Sequence, residues 1–178
     1  MNDLGGLKYV LGIEVYRSKL GIFLSQRKYV LDLLVETCML DCKHVDTSIV
    51  QNHCLAEYSD RVPTNKERYQ KLVGKLIYLS HTCSNIAYAV SLISQFMHKP
   101  SEIHMKATLR VLRYLKSSSG RGILFKKSNH LNLIGYTDAN WAENLTDKKF
   151  TSGYFIFVRG NLITWKSKKQ KVVALSSA

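Results

Sequence analysis

In "IGYTDANWAEN", residues 134–144, apolar and aromatic residues lead up to a single carboxylate, Asp138, with small residues and a Trp behind it. That pattern predicts a strand delivering Asp138 to the exposed edge of a hydrophobic sheet. Two-metal phosphodiester hydrolysis needs several carboxylates around ions roughly 4 Å apart, one metal activating water and the other stabilising the leaving oxygen. Asp138 could bridge such a pair. Glu143 and Asp147 follow in a polar stretch, but nothing in their spacing makes them converge on it. On these residues alone the plainer reading is a strand-end aspartate capping a turn.

A second constellation is basic. Lys106, Arg110 and Arg113 fall at i, i+4 and i+7 and so share one helical face, which could track a phosphate backbone or simply be solvated. No acidic residue occurs between Ile103 and His130, while Lys116, Arg121, Lys126 and Lys127 add positive charge. Further on, "WKSKKQK" sets Lys166, Lys168, Lys169 and Lys171 behind Trp165, a pattern suited to nucleic acid, although lysines on an edge strand also guard against aggregation. Over the whole chain 26 Lys+Arg stand against 13 Asp+Glu, a net charge of +13. Such an excess favours a polyanionic partner, nucleic acid before membrane.

Cys38, Cys42, His44, His53 and Cys54 crowd one region, but their spacing fits no zinc-finger or knuckle pattern, and structural thiols are the reading. There is no glycine-rich phosphate loop, no H-E-x-x-H and no nucleophile elbow. The start of the chain does not resemble a signal peptide, no run is long enough to span a bilayer, and four cysteines are too few for a disulfide framework. An intracellular protein, cytoplasmic or nuclear and not secreted, is expected.

The elements that must hold these residues divide at a change of period. "LKYVLGIEVYRSKLGIFLSQ" alternates about a turn and predicts a β-hairpin with Gly21 at the turn exit. A helix follows with Tyr29, Leu33, Cys38 and Leu40 on its apolar face, then a long connection over 41–63. Thr64 and Glu67 form a candidate capping box ahead of a helix that buries Leu72, Leu76 and Leu79. A second amphipathic helix is stopped by Pro100, and Ser101 caps a third that runs to Gly120. From there the period becomes two, with strands in "GILFKK", "LNLIGYTDAN", "SGYFIFVRG" and "NLITWKSKK", a tight turn at "RGN", and a strand or loop in "VVALSSA".

Taken together, the stretches "DLGGLKYVLGIEV", "GIFLSQRKYVLDLL", "ERYQKLVGKLIYLSHT", "IAYAVSLISQFMHKPSEIHMKATLRVLRYLK", "GYTDANWAEN" with "TSGYFIF", and "NLITWKSKKQKVVALSS" resemble, in that order and spacing, the Pol polyprotein of copia-type LTR retrotransposons, plant elements above all. The resemblance covers essentially the whole chain. It implies an α+β fold in two parts: residues 1–119 as the end of a reverse transcriptase, with the last palm hairpin and thumb-like helices, and 120–178 as the start of a ribonuclease H-like domain. That second part would be an incomplete mixed sheet opening with antiparallel strands. By motif match Asp138 is then the first ribonuclease H carboxylate and a metal ligand, with Mg2+ as the cofactor of the parent family. Lys106, Arg110 and Arg113 would lie where a template–primer duplex or RNA–DNA hybrid is gripped.

The resemblance also implies what stands outside these residues. The polymerase signature Tyr-Val-Asp-Asp belongs ahead of "DLGGLKY", and the second ribonuclease H carboxylate belongs in a Thr-Glu-Ala-Glu-Tyr segment after "ALSS". Asn140 stands where the family commonly has Asp, Phe150 where Ser is usual, and Cys83-Ser84-Asn85 where Arg-Pro-Asp is typical. The expectation is therefore a retrotransposon polyprotein fragment that lacks polymerase and hybrid-cleaving activity by itself and binds no Mg2+ tightly. The alternatives are a non-catalytic basic nucleic-acid-binding module and a non-functional relic.

Overall fold

The computed structural model describes residues 8–50, 55, 62–140 and 151–169. Strands β1 (Tyr9–Val10), β2 (Ile13–Ser18) and β3 (Gly21–Ser25) form an antiparallel meander. The β1–β2 turn has positive φ at both Leu11 (47°) and Gly12 (78°), the geometry that matches the twist of a two-residue hairpin. Ser18 pairs with Gly21 at the β2–β3 turn, as the alternation predicts.

Helix α1 (Arg27–Glu36) buries Val30, Leu33 and Leu34. The apolar face drawn through Cys38 and Leu40 is not the one found, because the helix has ended by then. Cys38 takes a left-handed φ of 55°, and the Met39 N–H closes back on the Leu34 carbonyl at 2.8 Å. Met39 is buried in place of Cys38 and Leu40, which are exposed.

Helix α2 (Lys66–Ser80) buries Leu72, Leu76 and Leu79 as expected, together with Tyr69 and Val73. Its N-cap is Asn65 rather than Thr64: the Asn65 carboxamide oxygen accepts from the Arg68 N–H at 2.8 Å, leaving Thr64 one residue outside the helix. Helix α3 (Ser84–Ser94) ends six residues before Pro100. There the Ser94 hydroxyl donates back to the Ser91 carbonyl at 2.9 Å, offering that carbonyl an alternative to the helical ladder. Helix α4 (Glu102–Ser118) starts at Ser101, whose N–H donates to His104 Nδ1 at 3.1 Å, and the His104 ring stacks on Phe96 at 3.9 Å. His104 is thus a buried capping residue.

The core lies among the four helices, where Leu34, Leu76, Ile86, Ile93, Val111 and Leu112 are almost wholly buried. Each such side chain is worth about 1.5–3 kcal/mol of transfer free energy. Tyr69 ties α2 to α3 through its hydroxyl, which donates to the Ile93 carbonyl at 2.6 Å.

Strand β4 (Gly122–Lys126), which its period groups with the strands that follow, pairs instead with β3 and completes a four-stranded antiparallel sheet, β1-β2-β3-β4. Two glycines allow the approach: a Cβ on Gly21 would sit 2.0 Å from the Phe125 carbonyl oxygen, and one on Gly122 2.1 Å from that of Leu24. The second sheet has β5 (Leu133–Asn140), β6 (Thr151–Val158) and β7 (Asn161–Lys169) in that order, all antiparallel. Arg159 and Gly160, with φ of 54° and 73°, make the predicted tight turn between the last two. The Asn161 side chain joins the sheets, accepting from the Lys126 N–H at 2.7 Å and donating to its carbonyl at 3.0 Å. The expected α+β class holds, with two antiparallel sheets and four helices among the described residues. None of these helices is long and apolar enough to cross a membrane.

Candidate functional site

The register of the second sheet decides what surrounds Asp138. Gly153 lies opposite it on β6, and Ser167 lies opposite Gly153 on β7. Two residues along, Tyr136 pairs with Phe155 and Phe155 with Trp165. Because side chains alternate along a strand, Asp138, Tyr136, Phe155, Trp165 and Ser167 share one face. That face meets α3 and the end of α2. The Trp165 indole N–H donates to the Ser80 carbonyl at 2.9 Å, and the Ser91 hydroxyl donates to the Ser167 carbonyl at 3.0 Å.

Between these anchors and the N-terminal turn of α3 lies a cavity of about 220 Å³, lined by Asp138, the aromatic rings of Tyr88, Tyr136, Phe155 and Trp165, and Ser84 among others. Asp138 is exposed and is the sole carboxylate among the cavity's lining residues. No group of three or more His, Cys, Asp or Glu side chains among the described residues could hold a metal ion. Cys83, next to this cavity, has its thiol pushed up by burial, partly offset by its hydrogen bond with Thr82. It therefore stays a neutral thiol, a poor metal ligand, at neutral pH. Cys38 and Cys42 are free thiols, while His53 and Cys54 lie outside the described residues, as do Glu143 and Asp147.

The basic residues separate into groups. On α4, Lys106 and Arg113 are exposed, but Arg110 is half-buried and donates to the Thr47 hydroxyl at 2.9 Å. Lys116 donates to the Cys42 carbonyl at 2.7 Å, and Ser117 to that of Val45 at 3.4 Å. The 42–47 segment is thus strapped along α4 by part of the face predicted to be free. On β7, Lys166 and Lys168 are exposed and alternate with the half-buried Trp165 and Ser167, which places them on the sheet face opposite Asp138. Lys169 is placed only as the last strand residue, and Lys171 lies outside the described residues.

The aromatic surroundings of Asp138 escape sequence reasoning. The i, i+2 spacing of Tyr136 and Asp138 puts them on one face, but Phe155 and Trp165 join them only through the register of two hairpins, and Tyr88 through the docking of α3.

No protein-family model matches the chain, and no solved structure matches it. Known proteins do. The retrovirus-related Pol polyprotein from transposon RE1 of Arabidopsis thaliana is 45% identical over 177 residues, covering 99% of this chain and 12% of the relative. The corresponding polyprotein from transposon TNT 1-94 of Nicotiana tabacum is 33% identical over 99% of this chain and 14% of the relative. An uncharacterized mitochondrial protein of Arabidopsis thaliana, AtMg00810, is 34% identical over 99% of this chain and 73% of its own length. The chain spans a small part, 12–14%, of the transposon polyproteins it matches. It belongs to the family of retrovirus-related Pol polyproteins from transposons.

Proposed function

We propose that this chain is the stretch of a copia-type Pol polyprotein in which the reverse transcriptase gives way to ribonuclease H, with 1–119 ending the former and 120–178 opening the latter. The observation that carries the reading is the placement of Asp138 on β5, the first of three consecutive antiparallel strands. That is the place the family likeness assigns to the first ribonuclease H carboxylate. The parent activities would be RNA-directed DNA synthesis and cleavage of RNA–DNA hybrids. The partner is a hybrid or template–primer duplex, engaged through its phosphates in the cytoplasm or nucleus.

By itself the 178-residue chain is proposed to bind without cutting. A Mg2+ pair needs several carboxylates, and the residues lining the cavity around Asp138 include only that one, so they do not fit the ion pair. Removing one member of a cooperating catalytic set commonly removes nearly all its activity. Incubation of a labelled RNA–DNA hybrid with the chain and Mg2+ tests this: intact RNA is expected. Cleavage abolished by Asp138→Asn would overturn the inactivity and would show a complete site. The exposed Lys166 and Lys168 on one face of β7, with Lys106 and Arg113 on α4, favour the companion reading of a basic nucleic-acid-binding module.

A further inference from the structure

We infer that the aromatic cavity beside Asp138 is a receptor for a single unpaired guanine base. The inference rests on the reading that the chain binds nucleic acid, and it names the part of the ligand this site would take. Four observations support it.

The first is shape. A cavity of about 220 Å³ lined by the aromatic residues Tyr88, Tyr136, Phe155 and Trp165 has room for one nucleobase. Stacking on aromatic side chains is worth about 1–3 kcal/mol per base. The second is the opening. Gly153, directly opposite Asp138, has no side chain, and a Cβ there would meet only the Lys166 carbonyl oxygen, at 3.6 Å. Bare backbone beside the carboxylate is what lets a flat ligand reach it. The third is the polar group. Asp138 puts an exposed carboxylate, with two acceptor oxygens, on the cavity wall.

The fourth is chemical matching. An ionised carboxylate is an acceptor only. On its pairing edge guanine presents two adjacent N–H donors, which one carboxylate can take together. Adenine and cytosine place a ring acceptor beside their amino group, and thymine and uracil set one N–H between two carbonyls, so each meets the carboxylate with at least one repulsive contact. A cationic guest, such as an alkylammonium group, would also suit aromatic walls and a carboxylate, but a chain of net charge +13 repels it and attracts a polyanion.

Trp165 provides the readout. The sequence has two Trp, so Trp141→Phe leaves Trp165 as the sole indole fluorophore. Titration of that protein with a short oligothymidylate carrying one central guanine is expected to quench Trp165, with affinity about tenfold tighter than for the adenine or all-thymine oligomer. Asp138→Asn, whose carboxamide offers one acceptor and a donor, should erase the guanine preference while some quenching persists. Gly153→Val, which fills the opening and leaves Asp138 in place, should abolish the quenching. Equal affinity for the guanine and adenine oligomers would overturn the proposal, as would a guanine preference that survives Asp138→Asn. A quench that grows with protein concentration alone would overturn it too, since a second copy would then cover the cavity. Anisotropy of a labelled RNA–DNA hybrid, run on the same variants, separates the two levels. Salt-sensitive hybrid binding without guanine discrimination removes this inference and leaves the nucleic-acid reading standing, whereas loss of both removes both.

Discussion

Substituting Tyr69 by Phe should weaken the fold at neutral pH and strengthen it at high pH. Tyr69 is fully buried, its hydroxyl donates to the Ile93 carbonyl, and burial raises its pKa from 10.0 to about 12, partly offset by a hydrogen bond with Thr108. At pH 8 the phenol is neutral in both folded and unfolded chains, and Phe loses one buried hydrogen bond, about 1 kcal/mol. The Ile93 carbonyl still accepts from the Phe96 N–H at 3.2 Å, which keeps the loss at that modest level. For an acid whose folded pKa lies above its unfolded one, the stabilisation is complete below the unfolded value and is lost as pH rises through the folded value. Two pKa units correspond to about 2.7 kcal/mol, lost progressively between about pH 10 and pH 12. The phenol's penalty therefore overtakes the hydrogen bond's benefit near pH 10.5–11, and beyond that the Phe variant is the more stable. Urea unfolding followed by circular dichroism at pH 8, 10 and 11, on both proteins, reads this directly. A difference of constant size and sign across that range would refute the burial of Tyr69 and, with it, the packing of α2 on α3.

Leu76→Ala removes a fully buried side chain from the centre of α2 and should cost about 2–5 kcal/mol, read from the urea midpoint. The glycines should respond with opposite signs. Gly74→Ala adds a methyl that meets nothing within 4 Å on an exposed helical position and should stabilise by about 0.5–1 kcal/mol. Gly122→Ala drives a Cβ against the Leu24 carbonyl and should cost about 2–4 kcal/mol, with faster amide exchange across β3 and β4. Glu36 is bridged by Lys71 and Lys75 near the surface, and these lysines hold its carboxyl below the usual range. Its contribution is present above the unfolded pKa and fades as pH falls through the lowered one. Glu36→Gln should therefore cost less than about 1 kcal/mol at pH 7 and nothing measurable in high salt, in thermal unfolding.

Periodicity carried much of this fold into the open. The buried stripe of α2, the β2–β3 hairpin and the Arg159–Gly160 turn are local patterns, and local patterns are legible. Helix ends were less so, because Asn65 rather than Thr64 caps α2 and Cys38 rather than a glycine ends α1, choices of one residue that periodicity does not resolve. The pairing of β4 with β3 was hidden for a different reason: it joins residues about a hundred apart, and only the close approach at Gly21 and Gly122 makes it possible. The site was legible in part. Asp138 stands out as an isolated carboxylate on a strand, but the spacing of Lys106, Arg110 and Arg113 on α4 gives no sign that Arg110, together with Lys116, holds the 42–47 segment. Such long-range use of a charged side chain leaves no periodic trace.

Binding of a labelled RNA–DNA hybrid over a series of salt concentrations, with Lys166→Gln/Lys168→Gln alongside the parent chain, tests the central claim most directly. Lys166 and Lys168 are exposed on β7, so their loss should not disturb the fold. Affinity is expected to fall steeply with salt as counterions are released, and the double substitution to lower the slope of log affinity against log salt by about 1–2. A flat salt response, or a slope unchanged by removing both lysines, would contradict it.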